Sequence, residues 1–279
     1  MIQPQPNRGF EWTQAPWGPA LRCVPLEPFA QHLFTTGNLQ LRDDAAEWEA
    51  VAGALGVSRS RVLLIRQVHG AAAAVARRPF DKLTAGHVEW TMPEADIILS
   101  DDPASAIGVR VADCAPILMA DTRTGAVGAA HAGWRGTVQS AAAAAVRSMQ
   151  REFGTDPVHL VAAIGPCLGA CCGEVGPEVV EAFRQAGHDD VNVGRWFSDG
   201  PRGRPMLDLW QANVDQLAAA GVSRSNIHVA GICTKTHAAI MHSYRAAGTA
   251  AGRMLGVIRR RESATGMECG EGSQLAREI

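Results

Sequence analysis

The chain has 279 residues, which is enough for a substantial buried core, and its 47% hydrophobic content is ordinary for a globular protein. A net charge of −2 gives no electrostatic reason to expect binding to nucleic acid or to an anionic membrane. No apolar run approaches the roughly 20 residues of a membrane span, and residues 1–8 lack a signal-peptide pattern. We therefore expect a cytoplasmic protein whose seven cysteines are reduced.

The first half of the chain predicts an arm, one helix and many short strands. Residues 1–20 are rich in Pro, Gln and Trp without periodicity, which indicates an arm on the surface. Helical spacing over residues 46–55, closed by Gly56, predicts a helix. The alanine run at 71–76 could form a helix by propensity, but its shortness favours a strand. The predicted strands are 21–25, 32–36, 61–68, 71–76, 95–100, 106–112, 116–120 and 126–130.

The second half predicts longer helices between strands. Residues 137–153 are alanine-rich, contain no Gly or Pro and end at Gly154, so they predict the clearest helix of the chain. The other predictions are helices at 177–186 and 207–220, strands at 158–164, 227–232 and 252–258, and a long loop at 187–206. Helices and strands mix without strict βαβ alternation, which favours one α+β domain with mixed sheets over residues 21–260. The charged residues 261–279 predict a disordered tail.

Three potential metal ligands each follow an apolar run near a Gly or Pro turn: His69, Cys114 and His131. Side chains at strand ends commonly meet at one rim of a sheet, so these three could share a site. Two histidines and one cysteine would leave one zinc coordination position open, as in catalytic sites that make hydroxide available at neutral pH. Asp113 could orient a ligand or accept a proton. Spacing alone still favours the alternative of a core cysteine and two unrelated histidines.

A separate candidate is Arg135, which stands between Gly133 and Gly136 at the predicted start of the alanine-rich helix. The free N–H groups of a helix N-terminus can bind an anion, and Arg135 could add a bidentate contact to phosphate or carboxylate. A tight strand-to-helix turn with a solvated arginine explains the same residues equally well.

The pattern of zinc deaminases is matched only in part. Residues 87–89 read His-Val-Glu, and Cys167 and Cys171 follow, but three residues separate the cysteines where that pattern has two. Cys172 does not repair the spacing, so we predict that Cys171 and Cys172 are packing or redox-tolerant residues. The His-x-His pairs expected of a multicopper oxidase are absent from the sequence.

Six motifs occur in the order in which a known family carries them. They are Gln67-Val68-His69-Gly70, Ala112-Asp113-Cys114-Ala115-Pro116, His131-Ala132-Gly133-Trp134-Arg135-Gly136, Ile164-Gly165-Pro166-Cys167-Leu168-Gly169, Cys172-Gly173-Glu174-Val175-Gly176, and Cys233-Thr234 through Ser243-Tyr244-Arg245. On these motifs the chain resembles the YfiH-like multicopper polyphenol oxidase (laccase domain) family, also described as purine nucleoside phosphorylases. The resemblance covers residues 21–260.

The resemblance implies a monomeric α/β sandwich with mixed β-sheets and outer helices. It also implies zinc, with copper as a possible substitute, bound by His69, Cys114 and His131. The implied activities are phosphorolysis of adenosine, inosine, guanosine and methylthioadenosine, and deamination of adenosine. Some bacterial members are associated with the removal of wrong amino acids from peptidoglycan precursors.

Three positions depart from the family pattern. Gly37 stands where an arginine is usual, Gly173 stands where an aromatic residue usually precedes Glu-Val, and His242 replaces the aromatic residue before Ser243. If these positions shape the pocket, the substrate preference of this chain differs from that of its relatives.

The leading hypothesis is a zinc-dependent purine nucleoside phosphorylase with adenosine deaminase activity. Arg135 is the first candidate for the phosphate contact and Arg245 the second. The main alternative is a hydrolase, or an editing enzyme for peptidoglycan precursors, with Cys114 as nucleophile and His131 as base. Oxidation of phenols by bound copper and a non-catalytic binding protein are the remaining alternatives.

Overall fold

The computed structural model describes residues 3–77 and 92–261. The tail predicted at 261–279, apart from Arg261, and the His-Val-Glu segment at 87–89 lie outside the described residues. In chain order the strands are β1 (Phe10–Ala15), β2 (Gly18–Cys23), β3 (Ala30–Phe34), β4 (Val62–Leu63), β5 (Ala73–Ala76), β6 (Ile97–Ser100), β7 (Ala106–Val111), β8 (Ala115–Asp121), β9 (Val127–Ala132), β10 (Leu160–Ile164), β11 (Phe197–Asp199), β12 (Pro205–Leu207), β13 (Ile227–Val229) and β14 (Met254–Arg260). The α-helices are α1 (Ala45–Ala54), α2 (Trp134–Val138), α3 (Ala141–Phe153), α4 (Pro177–Gln185), α5 (Asp190–Trp196), α6 (Leu209–Ala219) and α7 (Tyr244–Ala247).

Twelve of these strands form two six-stranded sheets. The first sheet has the order β1-β2-β3-β14-β7-β4, and the second has the order β13-β10-β8-β9-β6-β5. Both sheets are mixed, because β4 pairs with β7 in parallel while β5–β6 and β10–β13 are the parallel pairs of the second sheet. The other neighbours in both sheets are antiparallel. Strands β11 and β12 make a separate hairpin.

The two sheets pack face to face with helices on both outer sides. Along β8, Leu118 and Ala120 belong to the core between the sheets, whereas Ile117 and Met119 belong to the core beneath the helices α3 to α6. Both faces of the second sheet are therefore covered, which explains why its strands are almost continuously apolar. A third core lies between the first sheet and α1. The predicted single α+β sandwich with mixed sheets and outer helices is confirmed. Within the described residues, no helix combines the length and hydrophobicity that crossing a membrane requires.

The structure corrects the prediction of an arm at residues 1–20. Phe10–Ala15 and Gly18–Cys23 pair in register, from Phe10 opposite Cys23 to Ala15 opposite Gly18, and form the edge of the first sheet. Phe10 is buried against Phe34, with 5.9 Å between ring centroids. The Pro and Gln residues concealed this hairpin because they weaken the alternating pattern that signals a strand.

The clearest predicted helix, 137–153, is in fact broken into α2 and α3. Ser140 takes a left-handed conformation with φ of 57°. The side chain of Gln216 on α6 donates to the carbonyl of Thr137 (2.7 Å), and the Thr137 hydroxyl donates to Gly133. The side chain of Gln216 thus binds the carbonyl of Thr137 at the break between α2 and α3. Local helix propensity cannot reveal such a contact from a helix far away in the chain.

Two further predictions were wrong in extent. The loop predicted at 187–206 contains α5 and the β11–β12 hairpin, and α5 begins at an Asp189 side chain that accepts from the amide of Asn192 (2.7 Å). The strand predicted at 61–68 is regular only at Val62–Leu63, because the chain leaves the first sheet there to cross toward the second.

Candidate metal centre and cleft

The chain crosses between the two sheets near the candidate ligands. His69 lies on the link from β4 in the first sheet to β5 in the second, and Cys114 ends the short link from β7 to β8. His131 lies on β9, directly opposite Pro116 of β8. The side-chain amide of Gln67 donates to the carbonyl of Arg110 (2.8 Å) and accepts from its backbone amide (2.9 Å). These two bonds fix the link between β4 and β5 to the end of β7.

His69, Cys114 and His131 are brought together by these crossings. One potential ligand atom from each residue lies within 4.8 Å of the other two. The two imidazole rings meet edge to face, with 5.0 Å between centroids. His131 is buried, Cys114 is half-buried and His69 is exposed, so the group is closed on the protein side and open toward solvent. Two imidazoles and a thiol around an open side match the donor set of a catalytic zinc site.

Asp96 holds this group in place and was not singled out in the sequence. Asp96 is completely buried directly before β6, and its carboxylate lies 2.8 Å from Nδ1 of His131. The same carboxylate accepts hydrogen bonds from the backbone amides of Val68 (3.2 Å), His69 (3.0 Å) and Gly70 (2.6 Å). Burial opposes ionisation of Asp96, but the bonds from His131 and the backbone outweigh it and lower the pKa of the carboxyl. The sequence did contain a signal for this role, namely an aspartate next to an apolar strand. A buried aspartate is rare unless it has a partner.

Cys114 and His131 stabilise each other's charged forms in the free protein. Burial raises the pKa of the Cys114 thiol, but hydrogen bonds with His131 and His69 outweigh burial and bring it down to about 6. Burial lowers the pKa of His131, but its bonds to Asp96 and Cys114 prevail and raise it to about 9. Both shifts favour the thiolate of Cys114, which is the form that binds metal or attacks a carbonyl.

The backbone at both links is strained and is held by carboxylates. His69 has φ of 63° and Asp113 has φ of 90°, conformations that cost about 1–3 kcal/mol in residues other than glycine. The Asp113 carboxylate accepts from the Thr234 hydroxyl (2.6 Å) and from the backbone amide of Arg245 (2.5 Å). The carboxylate of Asp113 thus anchors the link between β7 and β8. The contact to a candidate metal-binding side chain, which the sequence suggested for Asp113, is made by Asp96 to His131.

Gly133 gives Cys114 the room it needs. A Cβ atom at position 133 would lie 2.5 Å from Sγ of Cys114 and 3.6 Å from Cδ2 of His69. The backbone of Gly133 has φ of −76°, which any residue can adopt, so the requirement for glycine is steric. The position of the Cys114 thiol thus accounts for glycine at position 133.

A cleft of about 990 Å³ opens on the ligand group and is rich in arginine. Six arginines and two aspartates line it: Arg42, Arg66, Arg110, Arg135, Arg245, Arg253, Asp43 and Asp113. The excess of positive charge favours an anionic ligand.

The arginines of the cleft differ in how free they are to bind. The guanidinium of Arg245 donates to the carbonyls of Cys172 (3.1 Å) and Glu174 (2.8 Å), so it braces the wall. Arg135 is exposed and stacks on Trp134 at 4.3 Å, and it lies in the five-residue α2, not at the start of the long helix as predicted. Arg110 is half-buried, and its side chain makes no hydrogen bond or ion pair with the described residues. Burial and the nearby charge of Arg253 lower the pKa of Arg110, and together they outweigh the charge of Asp43, which raises it.

The three departures from the family pattern lie in different surroundings. Of the three, only Gly173 lines the cleft, and a Cβ there would lie 2.2 Å from the carbonyl oxygen of Leu207. Gly37 contacts the backbone of Ile240, and His242 bonds to the carbonyl of Leu39 (2.8 Å). The chain at 207 occupies the space an aromatic side chain at 173 would need.

Comparison with known proteins agrees with this architecture. The family described as "Multi-copper polyphenol oxidoreductase laccase" matches residues 34–261. A purine nucleoside phosphorylase from Deinococcus radiodurans is 36% identical over 274 residues, which cover 90% of this chain and 98% of that protein. The adenosine deaminase RL5, from an unknown prokaryotic organism, is 37% identical over 201 residues, 71% of this chain and 75% of that protein.

A solved structure extends the agreement to the fold. The crystal structure of YlmD from Geobacillus stearothermophilus superposes with a TM-score of 0.75 at 30% identity, covering 87% of this chain and 96% of that one. The chain belongs to the multi-copper polyphenol oxidoreductase laccase family of enzymes.

Proposed function

We propose that this chain is a metal-dependent purine nucleoside phosphorylase that also deaminates adenosine, with zinc as the metal. The observation that carries the proposal is the open group of His69, Cys114 and His131 at the base of an arginine-rich cleft. Relatives named purine nucleoside phosphorylase and adenosine deaminase support the substrate class.

The three side chains would hold the ion as two imidazoles and one thiolate. A divalent zinc bound there supplies Lewis-acid activation of water at neutral pH. Nδ1 of His131 faces Asp96, which leaves its Nε2 for the metal and fixes the orientation of the ring. The three amides that bond to Asp96 fix the strained loop at His69 in the same way. Contacts within the chain thus orient two of the three proposed ligands.

Phosphorolysis also needs inorganic phosphate, and the cleft offers arginines for it. Arg110 is the strongest candidate, because its side chain makes no hydrogen bond or ion pair within the described residues. Burial and the charge of Arg253 disfavour its guanidinium, and the nearby Asp43 offsets them only in part. A bound phosphate would relieve both penalties and accept paired bonds from the guanidinium. Arg135 is exposed, lines the same cleft and is the second candidate, whereas Arg245 is occupied by two carbonyls.

The test is to incubate the purified protein with adenosine and phosphate. We expect adenine with ribose 1-phosphate, together with inosine; a strong chelator should abolish all three products and added zinc should restore them. Cys114→Ala should remove the activity, whereas Cys23→Ala, a buried cysteine of β2, is the matched control. Failure of the zinc-loaded protein to form any of these products would overturn the proposal.

A cysteine hydrolase is a second candidate, because Cys114 lies beside His131 and His131 in turn bonds to Asp96. This is the arrangement of a nucleophile, its histidine partner and an orienting carboxylate. The thiolate serves either chemistry. The two candidates differ in their response to reagents: a hydrolase should be inactivated by iodoacetamide and be indifferent to chelators, whereas bound zinc should protect Cys114 from alkylation.

A further inference from the structure

A second group of thiols is separate from the candidate ligands His69, Cys114 and His131. Sulfur atoms of Cys171, Cys172 and Cys233 all lie within 4.8 Å of one another. Cys171 is exposed, Cys172 is half-buried and Cys233 is buried. Within the described residues no histidine or carboxylate joins this group. We propose that Cys171, Cys172 and Cys233 form a second metal site that binds one thiophilic cation through three sulfurs.

The fold holds these cysteines together across two chain segments. Strands β10 and β13 run in parallel, and the pairing continues beyond them as a bridge between Cys167 and Cys233. The amide of Thr234 donates to the carbonyl of Cys167 (3.0 Å), and the amide of Gly169 donates to Sγ of Cys233 (3.3 Å). The position of Cys233 beside the turn that carries the other two cysteines is therefore fixed by backbone bonds before any metal binds.

The separations fit coordination to one ion. Two thiolates at about 2.3 Å from a metal lie roughly 3.8 Å apart when the coordination is tetrahedral and roughly 4.0 Å apart when it is trigonal. The sulfurs of Cys171 and Cys172 are 3.8 Å apart. The hydroxyl of Thr236 lies 3.4 Å from the first sulfur and 3.6 Å from the second, where it can donate to a thiolate. The exposure of Cys171 leaves a path for the ion to enter.

The sulfur-only donor set selects soft cations. Three thiolates complete the coordination of monovalent copper, whereas zinc would need a fourth ligand from water. The second group thus differs from the first, in which two imidazoles favour zinc. The turn at 171–174 also receives the Arg245 side chain at the carbonyls of Cys172 and Glu174, so an ion there would stiffen one wall of the cleft.

The test titrates the full-length reduced protein with monovalent copper in the absence of oxygen, against a coloured copper chelator, and in parallel with zinc. The Cys114→Ala background removes a ligand of the first group. We expect one tightly held equivalent of copper in this background, with three sulfur neighbours by X-ray absorption. The double variant Cys171→Ser, Cys172→Ser should lose this equivalent, while Cys23→Ser keeps it.

Folding of each variant is checked by the thermal midpoint of the metal-free protein, which the two serines at solvent-accessible positions should leave unchanged. Three outcomes would overturn the proposal: undiminished copper binding by the double variant, fewer than three sulfur neighbours in the bound ion, or a disulfide among these cysteines that persists in excess reductant. Tighter retention of zinc than of copper would overturn the assignment of a soft cation. None of these outcomes depends on nucleoside turnover.

Discussion

Replacing Asp96 by asparagine should weaken both the metal centre and the fold. The wild-type carboxylate accepts four hydrogen bonds, from His131, Val68, His69 and Gly70. Asparagine keeps one acceptor oxygen, so at most two of the four bonds remain and an NH₂ group faces the other donors. Hydrogen bonds to a charged group contribute about 1.5–3 kcal/mol each, so the loss of two costs about 3–6 kcal/mol of unfolding free energy. The expected loss is smaller than most of the values in the range of about 5–15 kcal/mol that is usual for the unfolding free energy of a domain. We therefore expect a destabilised protein that still folds.

The same substitution should lower zinc affinity by about 10- to 100-fold, because the acid fixes the ring of His131 and the loop of His69. Urea unfolding of the metal-free protein measures the first effect, and competition with a coloured zinc chelator measures the second. Asp102→Asn is the matched control: that carboxylate is also buried and accepts from Ala104 (3.0 Å) and Ser105 (2.7 Å). It should lose stability but not zinc affinity. Wild-type zinc affinity in Asp96→Asn would refute the reasoning.

Three other changes test separate parts of the account. Gly133→Ala should push the thiol of Cys114 by about 1 Å and lower kcat/KM for adenosine roughly a hundredfold, since its Cβ would lie 2.5 Å from Sγ. Arg110→Gln should raise KM for phosphate about tenfold or more while leaving deamination, which uses no phosphate, unchanged. Burial lowers the pKa of His32 to about 4, so below pH 6.5 the unfolded chain takes up a proton that the folded ring refuses. The free energy of unfolding should therefore fall by up to about 3 kcal/mol from pH 6.5 to pH 4.

Each of these has its own control. Gly53→Ala on α1, where a Cβ would meet nothing within 4 Å, should leave activity intact; an equal loss there would remove the steric argument for Gly133. An equal effect of Arg110→Gln on deamination would mean that Arg110 does not contact phosphate. In His32→Gln, the amide oxygen can still accept from the amide of Cys23, and the added pH dependence should vanish; if the slope persists, another group causes it.

The sequence predicted the layers of the fold well, because buried strands appear in it as continuous apolar runs. The apolar runs of β6 to β9 are covered on both faces, and each was predicted within a few residues of its observed bounds. The hairpin at Phe10–Cys23 and the break at Ser140 were missed, since both depend on partners far away in the chain: Phe34 for the hairpin and Gln216 for the break.

The ligand candidates were found because they belong to motifs, whereas their supports do not. Asp96 acts through backbone amides nearly thirty positions away, and no spacing rule relates it to His131. Arg110 stands two residues before the motif that carries Cys114, and only the structure reveals that its half-buried side chain makes no hydrogen bond or ion pair within the described residues. The grouping of Cys233 with Cys171 and Cys172 likewise depends on strand pairing between β10 and β13.

The central claim is that His69, Cys114 and His131 hold the metal on which turnover of nucleosides depends. Diffraction from zinc-loaded, active crystals at wavelengths on both sides of the zinc absorption edge tests it most directly. The account predicts an anomalous peak about 2.0–2.3 Å from Cys114 Sγ and from one ring nitrogen of each histidine. Crystals that convert adenosine yet show no peak between these three residues would contradict it.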